Sequence, residues 1–353
     1  MIDLTKTQAA LYQRVGWRQP TQTDYDILSA ANLVTNSGLI FQDFNPLVTV
    51  ENLHNCQVDK DVSDVNFNTW LVNFQKAAIN KIVNACVNRE DLIENAALFP
   101  FENVKTDKLD NNGDFVGYEI ELAKRKDIAV VLNQIITEFD ADEAITIYLF
   151  HSSQQTALTT YSITTSANNA KFTTAGTVLY FENLASQYVG GKFYLGYLTT
   201  GMTAKALNRT WNSSNVRNKF TDFSIKPIKV PGHTDSTLFD VDDVSYESDT
   251  YGINLDISTY QEYSDIVTQN KILFDRAIGL QVACDTLAQI ILSARTNRIK
   301  REVGDAAFNE LNGAYTGEGI PLSVGLLKQL NKEIERITKI LFPKNNLKTY
   351  TLK

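Results

Sequence analysis

The sequence predicts an α+β protein in which a discontinuous helical frame, built from both chain ends, carries an inserted antiparallel β-sandwich. Three observations predict it. Residues 144–200 hold only three Asp, Glu, Lys or Arg side chains (Lys171, Glu182 and Lys192) against ten aromatics and sixteen Ser or Thr, which is strand composition. Amphipathic helical periods flank this tract, at about 64–88 and 262–295. The order is helices, strands, helices, with no internal repeat or low-complexity stretch. The expected division is 1–124 with 261–353 for the frame, including an N-terminal arm and a hairpin, and 125–260 for the sandwich.

The elements follow in chain order. A short helix is expected at about 23–36, capped by Thr23 or Asp24 and ended by Gly38. Residues 39–58 alternate loosely around Pro46 and read as an extended arm or edge strand. The first long helix, capped by Ser63 or Asp64, carries Trp70, Leu71, Phe74, Ala77, Ala78, Ile82 and Ala85 as its apolar stripe. Asn73, Gln75, Lys76, Asn80, Lys81 and Asn84 supply its wet side. A further turn is expected at 90–98. Asp110-Asn111-Asn112-Gly113 then reads as the turn of a hairpin spanning Lys105 to Glu121.

Strand signals recur at about 128–138, 145–151, 158–164, 170–173, 177–182 and 192–198, with Gly190-Gly191 at a tight connection. In the run from Ile145 to Phe150, Ile145, Ile147 and Leu149 face one way and Thr146, Tyr148 and Phe150 the other. A helical turn at 202–211 interrupts the series, and strands resume at 222–230 and 252–259. The second long helix, 262–295, would measure about 50 Å at 1.5 Å per residue. A last helix covers 323–341, with Ser323 as cap and Pro343 beyond its end, after a loop at 312–321. Trp70, Phe74, Ile82, Phe274, Ile278 and Leu287 are the expected packing residues of the frame.

Composition narrows the function. The chain has 353 residues, 43% hydrophobic and 21% charged, enough to bury a core without disulfides. Its net charge of −8 argues against general binding to a phosphate backbone. The dense basic stretches, Lys124-Arg125-Lys126 and Arg295 to Arg301, read as solvated faces. Cys56, Cys86 and Cys284 are odd in number and widely spaced, so they write neither a zinc site nor a disulfide framework. The start, Met-Ile-Asp-Leu-Thr-Lys-Thr-Gln, has no basic or apolar leader pattern, and no apolar run approaches a membrane span. The expectation is a reducing cytoplasm and no membrane.

Candidate chemistry is sparse. His54, His151 and His233 have no second histidine at ligand spacing. His151, beside Ser152 and Ser153, could serve a Ser–His hydrolase, but no Gly-x-Ser-x-Gly elbow accompanies it, and a strand-end histidine is the preferred reading. His233 reads as a turn residue. Asp240, Asp242 and Asp243, followed by Glu247 and Asp249, form an acidic loop that could hold a hard cation weakly, although the glycine and bidentate glutamate of an EF-hand are missing. Asp110, Asn112 and Asp114 share that alternation, but the hairpin accounts for them. Gly190-Gly191 and Gly317-x-Gly319 are too sparse for a phosphate loop. Tyr148, Tyr180, Tyr194 and Tyr197 could stack on sugars if they lay on the sandwich surface, against the plainer reading that they fill its core. No catalytic, cofactor-binding or metal residue is assigned.

Several strings carry a resemblance: Ser37-Gly-Leu-Ile-Phe-Gln-Asp-Phe-Asn-Pro-Leu-Val-Thr-Val-Glu-Asn, Arg89-Glu-Asp-Leu-Ile-Glu-Asn-Ala-Ala-Leu-Phe-Pro, Gly117-Tyr-Glu-Ile, Ile147-Tyr-Leu-Phe-His-Ser-Ser-Gln, Gly191-Lys-Phe-Tyr-Leu-Gly-Tyr and Ala294-Arg-Thr-Asn-Arg-Ile. The chain resembles, over about 30–310, a group of uncharacterised structural proteins of tailed phages and prophages of Bacteroidetes. The resemblance implies a virion component of the tail, baseplate or neck, assembled in the host cytoplasm. It would act through contacts with itself in a ring and with other virion proteins, not through catalysis, a cofactor, nucleic acid or a membrane. It transfers no functional residue. A carbohydrate- or receptor-binding module of a phage tail is the alternative reading, and an enzyme with an unrecognised site the third.

Overall fold

The computed structural model describes residues 1–20, 28–57, 64–87, 91–100, 107–122, 127–183, 188–209, 211, 220, 222–232, 242–293, 298–314 and 324–343. The chain divides into two compact units. Met1–Thr5 and Arg89–Tyr263 form a β unit, and Lys6–Asn88 with Ser264–Lys353 form a helical unit. The β unit therefore starts at Arg89 rather than at the expected 125, because the segments around 92–97 and 115–121 are strands of its sheets.

The β unit is built on two antiparallel sheets. One has the order β1 (Leu92–Ala97), β12 (Ile253–Gln261), β3 (Ile128–Glu138), β6 (Ala170–Tyr180). The other runs β11 (Ser245–Tyr246), β10 (Ser224–Val230), β2 (Phe115–Glu121), β9 (Lys192–Leu198), β4 (Ala144–His151), β5 (Gln154–Thr164). A short ribbon, β7 (Glu182–Asn183) with β8 (Tyr188–Val189), precedes β9. The main core joins apolar side chains of both sheets: Val130, Leu132 and Leu255 from one, Tyr118, Ile147 and Leu195 from the other. This is a sandwich held by sheet-to-sheet packing.

Alternation decides each strand's orientation. Ile145, Ile147 and Leu149 of β4 enter the core between the sheets. Phe150 faces the other way and joins Phe115, Tyr194, Ile228 and Val230 in a second buried cluster. The central strands β2 and β9 are buried almost throughout, whereas the outer β5 and β6 mix half-buried and exposed positions. β6 is one strand across the two expected pieces, 170–173 and 177–182. Gly176 has φ +61°, and the pairing with β3 shifts register beside it, between Leu132 and Gln134. That glycine bulge is the break in the sequence pattern.

Three expectations around this unit are corrected. Residues 90–98 are not a helical turn; β1 is a strand because β12 offers it an antiparallel edge, and partner pairing overrides its weak strand propensity. Among the described residues, 107–121 do not form the expected hairpin. β2 pairs with β9 and β10 instead, and Lys108 pairs with Leu207. Asn111 is the reason: its side-chain amide donates to the carbonyls of Met202 and Ala204, both at 3.0 Å, and ties the would-be turn to another segment. Residues 202–208 are extended, not helical, with Ala206 bridged to Phe139 and Leu207 to Lys108.

In the helical unit, α4 (Asp64–Cys86) and α6 (Asp275–Leu292) pack on each other, and α7 (Arg298–Asn312) and α8 (Leu326–Leu341) pack on α6. The N-terminal and C-terminal stretches of this unit are joined by a buried ion pair: Arg14 donates from Nε to Asp275 at 2.8 Å and from a terminal nitrogen at 2.5 Å. The buried face of α4 is Phe67, Leu71, Gln75, Ala78, Ile79, Ile82, Val83 and Cys86. It is rotated from the expected stripe. Ala77 and Ala85 are exposed, Trp70 and Phe74 are half-buried, and Gln75 lies inside. The aromatics instead stack along the helix, Phe67 on Trp70 at 5.8 Å and Trp70 on Phe74 at 5.0 Å. Of the expected packing residues, Ile82, Phe274, Ile278 and Leu287 are buried.

The single helix expected at 262–295 is broken into α5 (Ser264–Gln269), a 3-10 turn (Lys271–Phe274) and α6. Asn270 marks the break. Its backbone N–H is shared between the carbonyls of Ile266 and Val267, and its side chain donates to Ile266 at 2.8 Å, so local bonds compete with continuation. The extended arm of 39–58 contains a 3-10 turn (Phe41–Asp43) and α3 (Val50–Gln57). Thr49 caps α3 by accepting the Asn52 N–H at 3.1 Å. The 23–36 helix reduces to α2 (Ala30–Leu33), and its expected caps, Thr23 and Asp24, lie outside the described residues. α7 was not expected from the sequence, and α8 starts behind Gly325 rather than Ser323, which lies outside the described residues.

Candidate functional site

Two acidic stretches that are far apart in sequence meet in the β unit. A cleft of about 140 Å³ is lined by Asp110 and Asp114, which precede β2, by Lys229 on β10, and by Glu247, Asp249 and Tyr251 before β12. Asp114 is buried, accepts the Gly232 N–H at 2.9 Å and pairs with Lys229 at 2.8 Å. Burial pushes its carboxyl up, but the Lys229 ammonium and the Gly232 N–H outweigh that and hold it below the ordinary value. Asp249 accepts from the Asn208 side chain at 2.6 Å, and Asp110 pairs with Lys205 at 2.6 Å. Burial, with the charges of Glu247, Asp249 and Asp114, raises the Tyr251 phenol well above its usual range.

The turn that delivers Tyr251 is local chemistry. Tyr251 and Gly252 have φ +51° and +66°, and the Ile253 N–H returns to the Thr250 carbonyl at 3.0 Å. Positive φ at both central residues marks a type I′ turn. A Cβ at 252 would stand 2.5 Å from the Glu138 carbonyl oxygen, so glycine is required there. The cleft's charges are largely spent on internal partners, which makes it a packing device for loops. Asp242 and Asp243 are exposed and outside the cleft lining, and Asp240 lies outside the described residues. Among the described residues, no group of three His, Cys, Asp or Glu converges as a metal site would.

His151 is buried at the end of β4. Its Nδ1 accepts the Ser153 backbone N–H at 3.1 Å and lies 2.8 Å from Ser153 Oγ. That assigns the ring proton to Nε2, which donates to the Gly190 carbonyl at 3.1 Å. The ring stacks on Tyr188 at 4.3 Å and meets Phe193 edge-on. Burial lowers its pKa, opposed by the Gly190 bond, so it is neutral at pH 7. A serine does reach a histidine nitrogen here, but the group orienting the ring is a backbone carbonyl instead of a carboxylate, and the cleft lining includes neither residue. The pair closes the turn from β4 into β5. His54 sits edge-on to Phe67 at 5.0 Å, and His233 lies outside the described residues.

The remaining candidates are placed as follows. Tyr194 and Tyr197 are buried, while Tyr148 and Tyr180 are half-buried, Tyr148 against Phe150 and Tyr180 donating to the Ile2 carbonyl. Cys86 and Cys284 are buried free thiols pushed up to about 12 by burial, which keeps them unreactive at neutral pH. Lys124-Arg125-Lys126, Arg295 and Gly317 to Gly319 lie outside the described residues. No helix among the described residues is long and apolar enough to cross a membrane.

The surface feature that sequence reading missed is a sheet edge. Among the described residues, β5 pairs only with β4, β6 only with β3, β1 only with β12, and β11 only with β10. Each of these four edges carries a feature that discourages further pairing. β11 has two residues; β1 has Glu94 and a register shift between Leu92 and Glu94; β6 has Lys171 and the Gly176 bulge. β5 has no charged side chain, proline or glycine, but its pairing with β4 breaks between Leu149, opposite Thr159, and His151, opposite Gln154, so that residues 155–158 fall out of regular register. Signals were present in the sequence, since the charge-poor tract of 144–200 covers β5, but edge position is set by topology.

No family model, curated protein or solved structure matches the chain.

Proposed function

We propose that this chain is a structural subunit of a tailed-phage particle, a tail, baseplate or neck component that works by assembly with itself and with other particle proteins. The observation that carries the reading is where the resembling strings fall. Gly117 to Ile120, Gly191 to Tyr197 and Ile147 to Gln154 are separated in sequence but lie on or at the neighbouring strands β2, β9 and β4. The likeness therefore covers one continuous piece of sheet. The surface supports the same reading: the helical unit leaves Ile272, Leu292, Phe308 and Ile340 exposed, large apolar side chains of the kind that partner surfaces cover. The glycan-contact alternative has less to stand on, because Tyr194 and Tyr197 point into the protein.

The test is immunogold labelling of particles released from a lysogenic host that carries the gene. Label on the tail, baseplate or neck is the expected result. Purified particles that lack the protein by both labelling and mass spectrometry refute the assignment.

A further inference from the structure

We propose that the acidic cleft of the β unit is a receptor for an arginine side chain presented by a partner protein. The inference rests on the assembly reading only for the source of that side chain; the site itself stands on the cleft's own residues.

Most of the cleft's charged groups are spent internally, and two polar groups are left over. Asp114 is held by Lys229 and the Gly232 N–H, Asp110 by Lys205, and Asp249 by the Asn208 side chain. Tyr251 is only 8% exposed. Its carbonyl oxygen accepts from Tyr197, but its hydroxyl has no hydrogen-bond partner among the described residues. A buried hydroxyl without a partner is costly, and an occupant that bonds it removes that cost. The hydroxyl lies in the field of Glu247, Asp249 and Asp114, three carboxylates of the same lining, which places it in the cleft. Glu247 is exposed, and its carboxylate makes no hydrogen bond or ion pair among the described residues.

Charge selects the sign of the occupant. The lining sets the carboxylates of Asp110, Asp114, Glu247 and Asp249 against the single ammonium of Lys229, and the excess stays negative when Lys205, the partner of Asp110, is counted. Geometry selects its shape. A bare hard cation draws several oxygens to about 2.3–2.6 Å, and no three carboxylates among the described residues converge in that way. An ammonium is a compact point charge that is likewise best served by convergent acceptors. A guanidinium carries five N–H donors fanned in one plane, so it serves acceptors that stand apart. In this cleft the carboxylates of Glu247 and Asp249 take its charge-assisted bonds, and the Tyr251 oxygen accepts a further one.

The cleft is also ready for such a group. Its volume of about 140 Å³ is far above the ~10–15 Å³ that admits a single water, which leaves room for a guanidinium head. Its walls are fixed before anything binds. The Glu247 N–H donates to the Pro227 carbonyl at 3.1 Å, the Thr250 N–H to the Asn208 side chain at 2.9 Å, and the turn at Tyr251 and Gly252 is closed by the Ile253 N–H. Walls already ordered lose little freedom on binding.

The experiment is a titration of the full chain with N-acetyl-arginine methylamide to about 50 mM at constant ionic strength, followed by backbone amide NMR. N-acetyl-lysine methylamide and calcium chloride are the comparison ligands. The expected result is a millimolar Kd, with shifts centred on the amides of Asn111, Asp114, Glu247 and Tyr251, and an arginine probe about threefold tighter than the lysine probe. Glu247→Gln changes an exposed side chain that the fold does not use, and should weaken binding about fivefold. Tyr251→Phe deletes only the hydroxyl and should weaken it too, while Glu94→Gln on β1 should leave it unchanged. A wild type that shows no shifts overturns the proposal, as do shifts centred elsewhere or indifferent to Glu247→Gln. So does a lysine probe that binds as tightly, or calcium that gives the same shifts at lower concentration. Particle labelling is read separately: labelled particles whose chain ignores the arginine probe discard the cleft assignment and keep the virion reading. Arginine binding by a chain absent from particles keeps the site and discards a particle protein as its partner.

Discussion

Removing Arg209 should unfold the β unit far more readily than its position in a connecting segment suggests. Arg209 and Glu138 are both buried, with side chains 7% and 3% exposed. The guanidinium donates from Nε to Glu138 at 2.9 Å, from one terminal nitrogen to the other carboxylate oxygen at 2.5 Å, and from the second to the Pro100 carbonyl at 3.0 Å. Its backbone N–H donates to Thr250 at 3.0 Å. At a separation of about 4 Å and an effective dielectric near 20, the attraction is roughly 4 kcal/mol. Desolvation of both charges offsets much of this, so the pair as a whole adds little. Arg209→Met is different: it strands a buried carboxylate and should cost about 3–5 kcal/mol. For a unit of this size that lowers Tm by about 6–20 °C. Glu138→Leu in the same chain removes the stranded charge and should recover most of the loss. Differential scanning calorimetry of the single and double variants measures both. A loss under about 1 kcal/mol for Arg209→Met, or a double variant no better than the single, would refute the reasoning, since water would then be reaching the carboxylate.

Three further outcomes are expected. Phe274→Ala, at a buried position between the 3-10 turn and α6, should cost about 3–5 kcal/mol in chemical denaturation; a change below about 0.5 kcal/mol would mean the side chain is not packed. Gly279→Ala in α6 places a methyl 2.1 Å from the Phe44 ring, so it should cost about 1–3 kcal/mol despite better helix propensity. In a Phe44→Ala background the same change should become neutral or stabilising, and an unchanged penalty there would exclude the clash as its cause. The His151 ring is neutral and its folded pKa depressed, so the unfolded chain binds the proton first: its contribution is present above about 6.5 and is lost as pH falls through the folded value. His151→Phe should therefore lose less stability than wild type between pH 7.5 and 5.5, and parallel losses would show that another group governs that window.

The parts of the fold legible in the sequence were those where periodicity and burial coincide. The β3 and β4 patterns and the α8 pattern give their elements within a few residues. Two of the misreadings come from partners distant in sequence, and a third from local side-chain competition. Leu92-Ile-Glu-Asn-Ala-Ala97 has no strand pattern of its own and becomes β1 because β12 lies beside it. Asn111 looks like a turn residue and spends its amide on the carbonyls of Met202 and Ala204. Asn270 sits in an unbroken apolar period and still divides the helix, since its side chain competes for the Ile266 carbonyl. At the cleft, composition marked both acidic stretches separately. That Asp110 and Asp114 would face Glu247 and Asp249 depends on pairing that no local pattern encodes.

The same distinction explains why the charge-poor tract has two meanings. In β4, and in β9 beyond Lys192, the absence of charge is what burial on both faces demands: Phe150 and Tyr194 fill one cluster while Ile147 and Leu195 fill the other. In β5 burial demands nothing of the kind, since Gln155, Thr156, Thr160, Ser162 and Thr164 are exposed and any of them could be lysine or glutamate at little cost to the fold. Such exposed strand positions are where charge protects a sheet against unwanted pairing, and Lys171 occupies one on β6. Neutral side chains on β5 are therefore not a by-product of the core.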